Sequence, residues 1–192
     1  IGVFGAQTKV IRAKSVGDKE WNTSDLNVWS SSSLNTYLNG EYLTSLGTIA
    51  EKIATTTWKG PRGKYSIYLN GVPKTAYQYE VGSSASSTTY DAKIGLMYVS
   101  DYYYSASPSA WTLVGYNTSD ATKDYRAATS TNWLYSGTDE WTISSDSGTT
   151  EYAFTVLSTG YVSNDYVTSS NVARPSFNLE SSVKYVSGSG SM

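Results

Sequence analysis

KIGLMYVSDYYYSASPSAW, residues 93–111, and NWLYSGTDEWTIS, residues 132–144, flank a polar stretch and decide how the chain is read. Residues 93–99 form an apolar run with the length of a buried strand, shorter than a buried helix requires. Tyr102, Tyr103 and Tyr104 follow it, leading into turn residues around Pro108. Residues 105–131 are polar, with Trp111, Tyr116 and Tyr125 dispersed among them, the composition of a long loop-rich insertion. Strand character returns at residues 133–135 and, past Ser136-Gly137, at residues 140–144.

Outward from this centre, residues 1–17 read as strand, with the β-branched run TKVIRA at 8–13 closed by Gly17. Asn22-Thr23-Ser24-Asp25 supplies cap residues ahead of Leu26 and Trp29. Leu34, Tyr37, Leu38 and Tyr42 recur at helical spacing, and Thr48–Glu51 has the form of a capping box. Two short helices are expected there, with Asn39-Gly40 as a break. Asn70-Gly71 marks a hairpin between strands at 65–69 and 75–81, and residues 82–89 form a serine-rich connector. Residues 152–157 and 160–162 read as a second hairpin. Residues 172–179 and 183–186 read as the last strands, with Pro175 indicating an edge or bulge and residues 187–191 a Ser/Gly tail. Residues 1–186 are expected to form a single domain.

Composition narrows the function. With 192 residues and 39% hydrophobic content the chain can build one core, and no run approaches the ~20 apolar residues of a membrane span. A net charge of −2 lacks the basic face of a nucleic-acid binder. The absence of Met at residue 1 and of a leader leads us to expect a piece trimmed from a longer protein. There is no His and no Cys, which removes the usual neutral-pH general base, the thiol nucleophile and the zinc-thiolate site. The positive signal is tyrosine: 18 Tyr stand against 3 Phe, in a background rich in Ser, Thr, Asn and Gly. Such surfaces recur where loops bind partners, although tyrosine also serves as a good strand former.

Taken together, the blocks TKVIRAKSVG, LNTYLNGEYLTSL, KIGLMYVSDYYYSAS, NWLYSGTDEWTIS and ARPSFNLESSVKYVSGSGS resemble the C-terminal globular module of prepilin-type surface proteins of Firmicutes. More distantly, the W-L…R-P-x-F pattern is similar to the C-type-lectin-like and formylglycine-generating-enzyme-like group. The resemblance implies an α+β fold of C-type-lectin-like form: a small twisted antiparallel sheet, two short helices and a loop-rich half. It implies no catalytic activity.

Three chemistries can be weighed on the residues. Asp101, Asp139, Glu140, Asp146 and Glu151 offer carboxylates for glycoside hydrolysis, but nothing in their spacing sets two across a cleft. Asp101, Asp120, Asp124, Asn132, Asp139 and Glu140 are oxygen donors, but no calcium-loop spacing joins them. Binding is the third. Tyr102, Tyr103, Tyr104, Trp111, Tyr116 and Tyr125 surround the insertion and form the candidate ligand-binding set, while Trp133 and Trp141 are expected in the core. Arg174, beside Pro175, is expected to anchor a loop through carbonyls or a carboxylate. The expectation is a non-enzymatic, extracellular adhesion domain of a bacterial surface or pilin-like protein, without metal or cofactor. Its partner would be a host or cell-surface glycan or protein, with no nucleic acid and no membrane contact by the domain itself. The alternatives are a filament subunit packing against neighbouring copies through the same loops, and a phage or virus receptor-binding tip.

Overall fold

The computed structural model describes residues 2–4, 7–64, 72–82, 88–111 and 129–184. The expected strand at 65–69 with its Asn70-Gly71 turn, the middle of the serine-rich connector, Tyr116, Tyr125 and the Ser/Gly tail lie outside the described residues. β1 (Gly2–Phe4), β2 (Gln7–Ile11) and β3 (Asp18–Glu20) precede a helical run. That run consists of α1 (Ser33–Tyr37), a π segment (Leu38–Tyr42), α2 (Leu43–Ser45) and a 3-10 segment (Gly47–Lys52). β4 (Thr56–Gly60), β5 (Arg62–Gly63), α3 (Pro73–Glu80), β6 (Thr88–Ala92), β7 (Ile94–Gly95) and α4 (Val99–Tyr104) come next. β8 (Glu140–Asp146), β9 (Tyr152–Val156), β10 (Val162–Tyr166), β11 (Ser170–Val172) and β12 (Ser176–Asn178) follow.

The fold is α+β. Where one small antiparallel sheet was expected, the described strands form three sheets. The first, ordered β1-β2-β12-β7, is antiparallel throughout. The second, ordered β10-β9-β8-β11-β3, is mixed, because β8 pairs in parallel with β11 and with β5. β4 and β6 make the third. Every residue of β8 is buried, so its sequence EWTISSD carries no in–out alternation. Two tryptophans stitch β8 to the segment around β3. Trp21 donates to the Thr142 carbonyl at 2.9 Å, and Trp141 donates to the Lys19 carbonyl at 2.8 Å.

The decisive stretch joins two of these sheets. Ile94 and Gly95 pair with β12 and, two residues further on, the Met97 carbonyl accepts the Ile143 N–H of β8 at 2.9 Å. Of the run expected to be a buried strand, residues 93–99, Lys93 is half-buried and residues 94–99 are buried, but the strand is two residues long and α4 begins at Val99. A second crossing runs the other way. Between β11 and β12, Arg174 donates from Nε to Glu140 at 2.8 Å and from a terminal nitrogen to the Leu134 carbonyl. Arg174 therefore anchors a loop by a carboxylate and a carbonyl, and Pro175 stands where the chain leaves one sheet for the other.

Several elements depart from expectation: residues 133–135, read as strand, hold a turn, and residues 183–184 are not strand. The residues read as a returning strand at 75–81 form α3, started by Pro73 at its first turn and burying Ala76 and Glu80 four residues apart. The expected break at Asn39-Gly40 is instead a π segment within a continuous helical run. Its cause is Asn39, whose amide donates to the Ile94 carbonyl at 2.9 Å and accepts the Lys93 and Ile94 N–H groups at 3.2 and 2.9 Å. The widened turn lets one side chain clamp the start of β7.

Candidate functional site

Lys9 of β2 and Asp101 of α4 meet at 2.5 Å, linking the first sheet to the helix that follows the decisive stretch. The Lys9 ammonium also lies over the rings of Tyr98 (4.8 Å) and Trp58 (5.6 Å). On one side of the pair opens a cavity of about 290 Å³ whose apolar lining includes Ile11, Met97 and Leu134. Two further recesses adjoin it. One of about 90 Å³ shares Lys9 and reaches Trp58 and Asn178; another of about 250 Å³ shares Asp101 and Tyr104 and reaches Tyr77. The three recesses adjoin one another around the ion pair, which stands as a wall between them, and the face they mark is the groove of this molecule.

Aromatic rings edge the groove. Trp133 is 57% exposed and Tyr104 38%, and both line the larger cavity. Trp111 meets Tyr104 edge-on with ring centres 5.0 Å apart, and Tyr77 does so from the other side at 6.4 Å. The Trp111 indole is held by a 3.0 Å bond to the Ala106 carbonyl.

α4 is set by polar contacts at its first turn. The Oδ2 oxygen of Asp101 accepts the Tyr98 N–H at 2.8 Å as well as the lysine. Glu80, at the end of α3, is fully buried and accepts the N–H groups of Val99 (2.9 Å) and Ser100 (2.8 Å) and the Ser144 hydroxyl. These satisfy the N–H groups that a helix start leaves open. Burial pushes the Glu80 carboxyl up to about 7, against the pull of the donors around it, and the Asp101 charge adds to the rise.

The six residues of the expected binding set do not stay together. Tyr102 and Tyr103 are fully buried, and the Tyr102 hydroxyl donates to the Gly160 carbonyl at 2.6 Å. They belong to the core beneath α4, because consecutive residues of a helix point in different directions and only Tyr104 turns outward. Tyr104 lines the groove and Trp111 packs edge-on against it, while Tyr116 and Tyr125 lie outside the described residues. Trp133 corrects the expectation of a core residue: Leu134 beside it takes the buried position and the indole faces out. Trp141 is fully buried.

Sequence reading missed Lys9, which sits in a half-buried strand, and Ser176, a 1% exposed residue in the wall of the larger cavity whose hydroxyl has no partner among the described residues. Period-two spacing of Lys9 with Ile11 was the available signal. Four of the five carboxylates weighed for catalysis have a partner of another kind, Asp101 through Lys9. Glu140 is bound to Arg174, Asp139 accepts the Ser158 N–H at 2.6 Å, and Asp146 accepts from Asn164 at 2.9 Å. Among the described residues, no three His, Cys, Asp or Glu side chains gather as a metal site, and no helix is long and apolar enough to cross a membrane. Comparisons with protein-family models, with curated proteins and with solved structures return no match for this chain.

Proposed function

We propose that this chain is a non-enzymatic, extracellular adhesion domain of C-type-lectin-like character, displayed by a bacterial surface or pilin-like protein, and that its partner is held in the aromatic-edged groove. One observation carries the reading. Four of the six tryptophans, Trp21, Trp29, Trp58 and Trp141, are buried, whereas Trp133 is 57% exposed beside the cavity and next to the half-exposed Tyr104. A large indole left in water at the lip of a concave, mostly apolar site has the character of a binding hot spot. The partner is a cell-surface glycan or protein. The sequence resemblance and the α+β arrangement support the fold half of the reading.

The test is attachment to cells. Trp133→Ala and Tyr104→Ser each remove an exposed ring without touching the core, so melting curves should stay near the wild type. Attachment should weaken by roughly tenfold or more, the usual consequence of truncating an aromatic hot spot. Undiminished attachment by both variants would refute the assignment. Filaments that form with the wild type and fail with Trp133→Ala, without any cell attachment, would move the groove to contacts between neighbouring copies.

A further inference from the structure

We infer that the occupant of the groove is a neutral saccharide of one or two rings, its hydroxyls read by Lys9, Asp101 and Ser176. The inference rests on the groove being the binding face. It begins with what the ion pair leaves unused. Both hydrogen bonds to Asp101 fall on Oδ2, from Lys9 and from the Tyr98 N–H, so among the described residues Oδ1 has no partner. An ammonium carries three N–H donors, and the Lys9 Nζ uses one on a carboxylate while its ring contacts occupy the side toward Tyr98 and Trp58. A free acceptor and free donors thus stand side by side in a groove wall. A hydroxyl both donates and accepts, so two neighbouring hydroxyls on one ring match such a pair.

The formal charges of the pair cancel, which selects against charged occupants. An anion would face Asp101 and a cation would face Lys9, each losing on one partner what it gains on the other. Ser176 is the third polar group. It lies on β12 in the wall of the same cavity and is 1% exposed, and its hydroxyl, shut off from water, is without a partner among the described residues. A buried hydroxyl left unpaired costs stability unless something arrives to bond it. The remaining walls are Ile11, Met97 and Leu134 with the Trp133 and Tyr104 rings at the lip, surfaces suited to the C–H face of a sugar ring. At about 290 Å³ the cavity is at the small end of the ~300–1,000 Å³ range of ligand sites, which suits one ring or two.

The experiment titrates the whole chain with methyl glycosides of neutral hexoses and with their disaccharides, by calorimetry and by saturation-transfer NMR. At least one should bind saturably, with an affinity unchanged between low and high salt because no net charge is exchanged. Asp101→Asn keeps an oxygen for the Tyr98 N–H but replaces the free acceptor with a donor and leaves Lys9 uncompensated. Neutral sugars should then bind roughly tenfold more weakly, while a methyl uronoside should bind better than it does to the wild type. Ser176→Ala removes an unpartnered hydroxyl, so it should weaken sugar binding severalfold without lowering the melting temperature. It also keeps the test decisive if Asp101→Asn folds poorly. Neutral-sugar binding that survives both substitutions overturns the inference. So does a complete absence of sugar binding by a wild type whose cell attachment still depends on Trp133, an outcome that points to a protein partner and leaves the groove assignment standing. Attachment indifferent to Trp133 would instead remove the groove assignment itself.

Discussion

Substituting Glu80 by Gln should abolish a specific part of the pH dependence of stability. Glu80 is fully buried between α3 and α4 and binds the N–H groups of Val99 and Ser100. Burial lifts its acid constant from an ordinary 4.5 to about 7. Between those values the folded chain holds a proton that the unfolded chain has released. The stabilisation is therefore fully present below 4.5, declines as pH rises, and is lost above 7. Each pH unit separating the two acid constants is worth ~1.4 kcal/mol, so the decline amounts to roughly 2–3 kcal/mol between pH 5 and pH 8. Glutamine has no proton to lose. It also turns an amide toward one of the two helix N–H groups, costing about 1–2 kcal/mol at pH 5. Glu140 is likewise raised by burial, against the opposing effect of Arg174, but it is present in both proteins and cancels on subtraction. Urea unfolding followed by tryptophan fluorescence at pH 5, 6, 7 and 8 gives the two curves. The wild-type advantage at pH 5 should shrink by roughly 2–3 kcal/mol and vanish or invert by pH 8. Parallel curves would show that Glu80 is not the titrating group.

Two tryptophans separate core from rim. Trp141→Ala should cost ~3–5 kcal/mol in chemical denaturation, and Trp133→Ala should stay within ~0.5 kcal/mol; equal losses would return Trp133 to the core. Gly95→Ala tests the joint between sheets, since an added Cβ would lie 2.7 Å from the Trp58 ring. A loss of about 1–3 kcal/mol is expected, and a neutral melting curve would mean that the Trp58 indole has room to move.

Much of the fold was legible wherever local chemistry and tertiary demand agree. Gly160 at φ 95° closes the β9–β10 hairpin that the sequence announces, and β2 follows from its β-branched run. α3 was misread because Thr75, Tyr77 and Tyr79 favour strands, while Pro73 and the four-residue spacing of Ala76 and Glu80 carried the helix signal. Burial of residues 94–99 was legible, but their brief strand was not, because its partner, β12, lies some eighty residues on. The site was less visible still. Tyr104 and Trp111 were among the candidates, yet a run of three tyrosines does not reveal which ring faces out until the helix phase is known. Lys9 and Asp101 stand 92 residues apart, and no local pattern couples a strand lysine to a helix aspartate. Glu80 reads as an ordinary surface acid until α4 is laid against it.

β2 and β12, near opposite ends of the sequence, are antiparallel neighbours, with Lys9 opposite Asn178 and Ile11 opposite Ser176. A pull arriving at the start of β2 and leaving at the end of β12 opens such a pair one rung at a time, like a zipper. The groove draws on the same two strands through Lys9 and Ser176. Tension carried between its occupant and either end of the chain therefore runs through the first sheet. The Trp21–Trp141 seam of the second sheet is spared that load. Under such a pull the β2–β12 pair opens rung by rung, while the larger sheet lies outside the line of force.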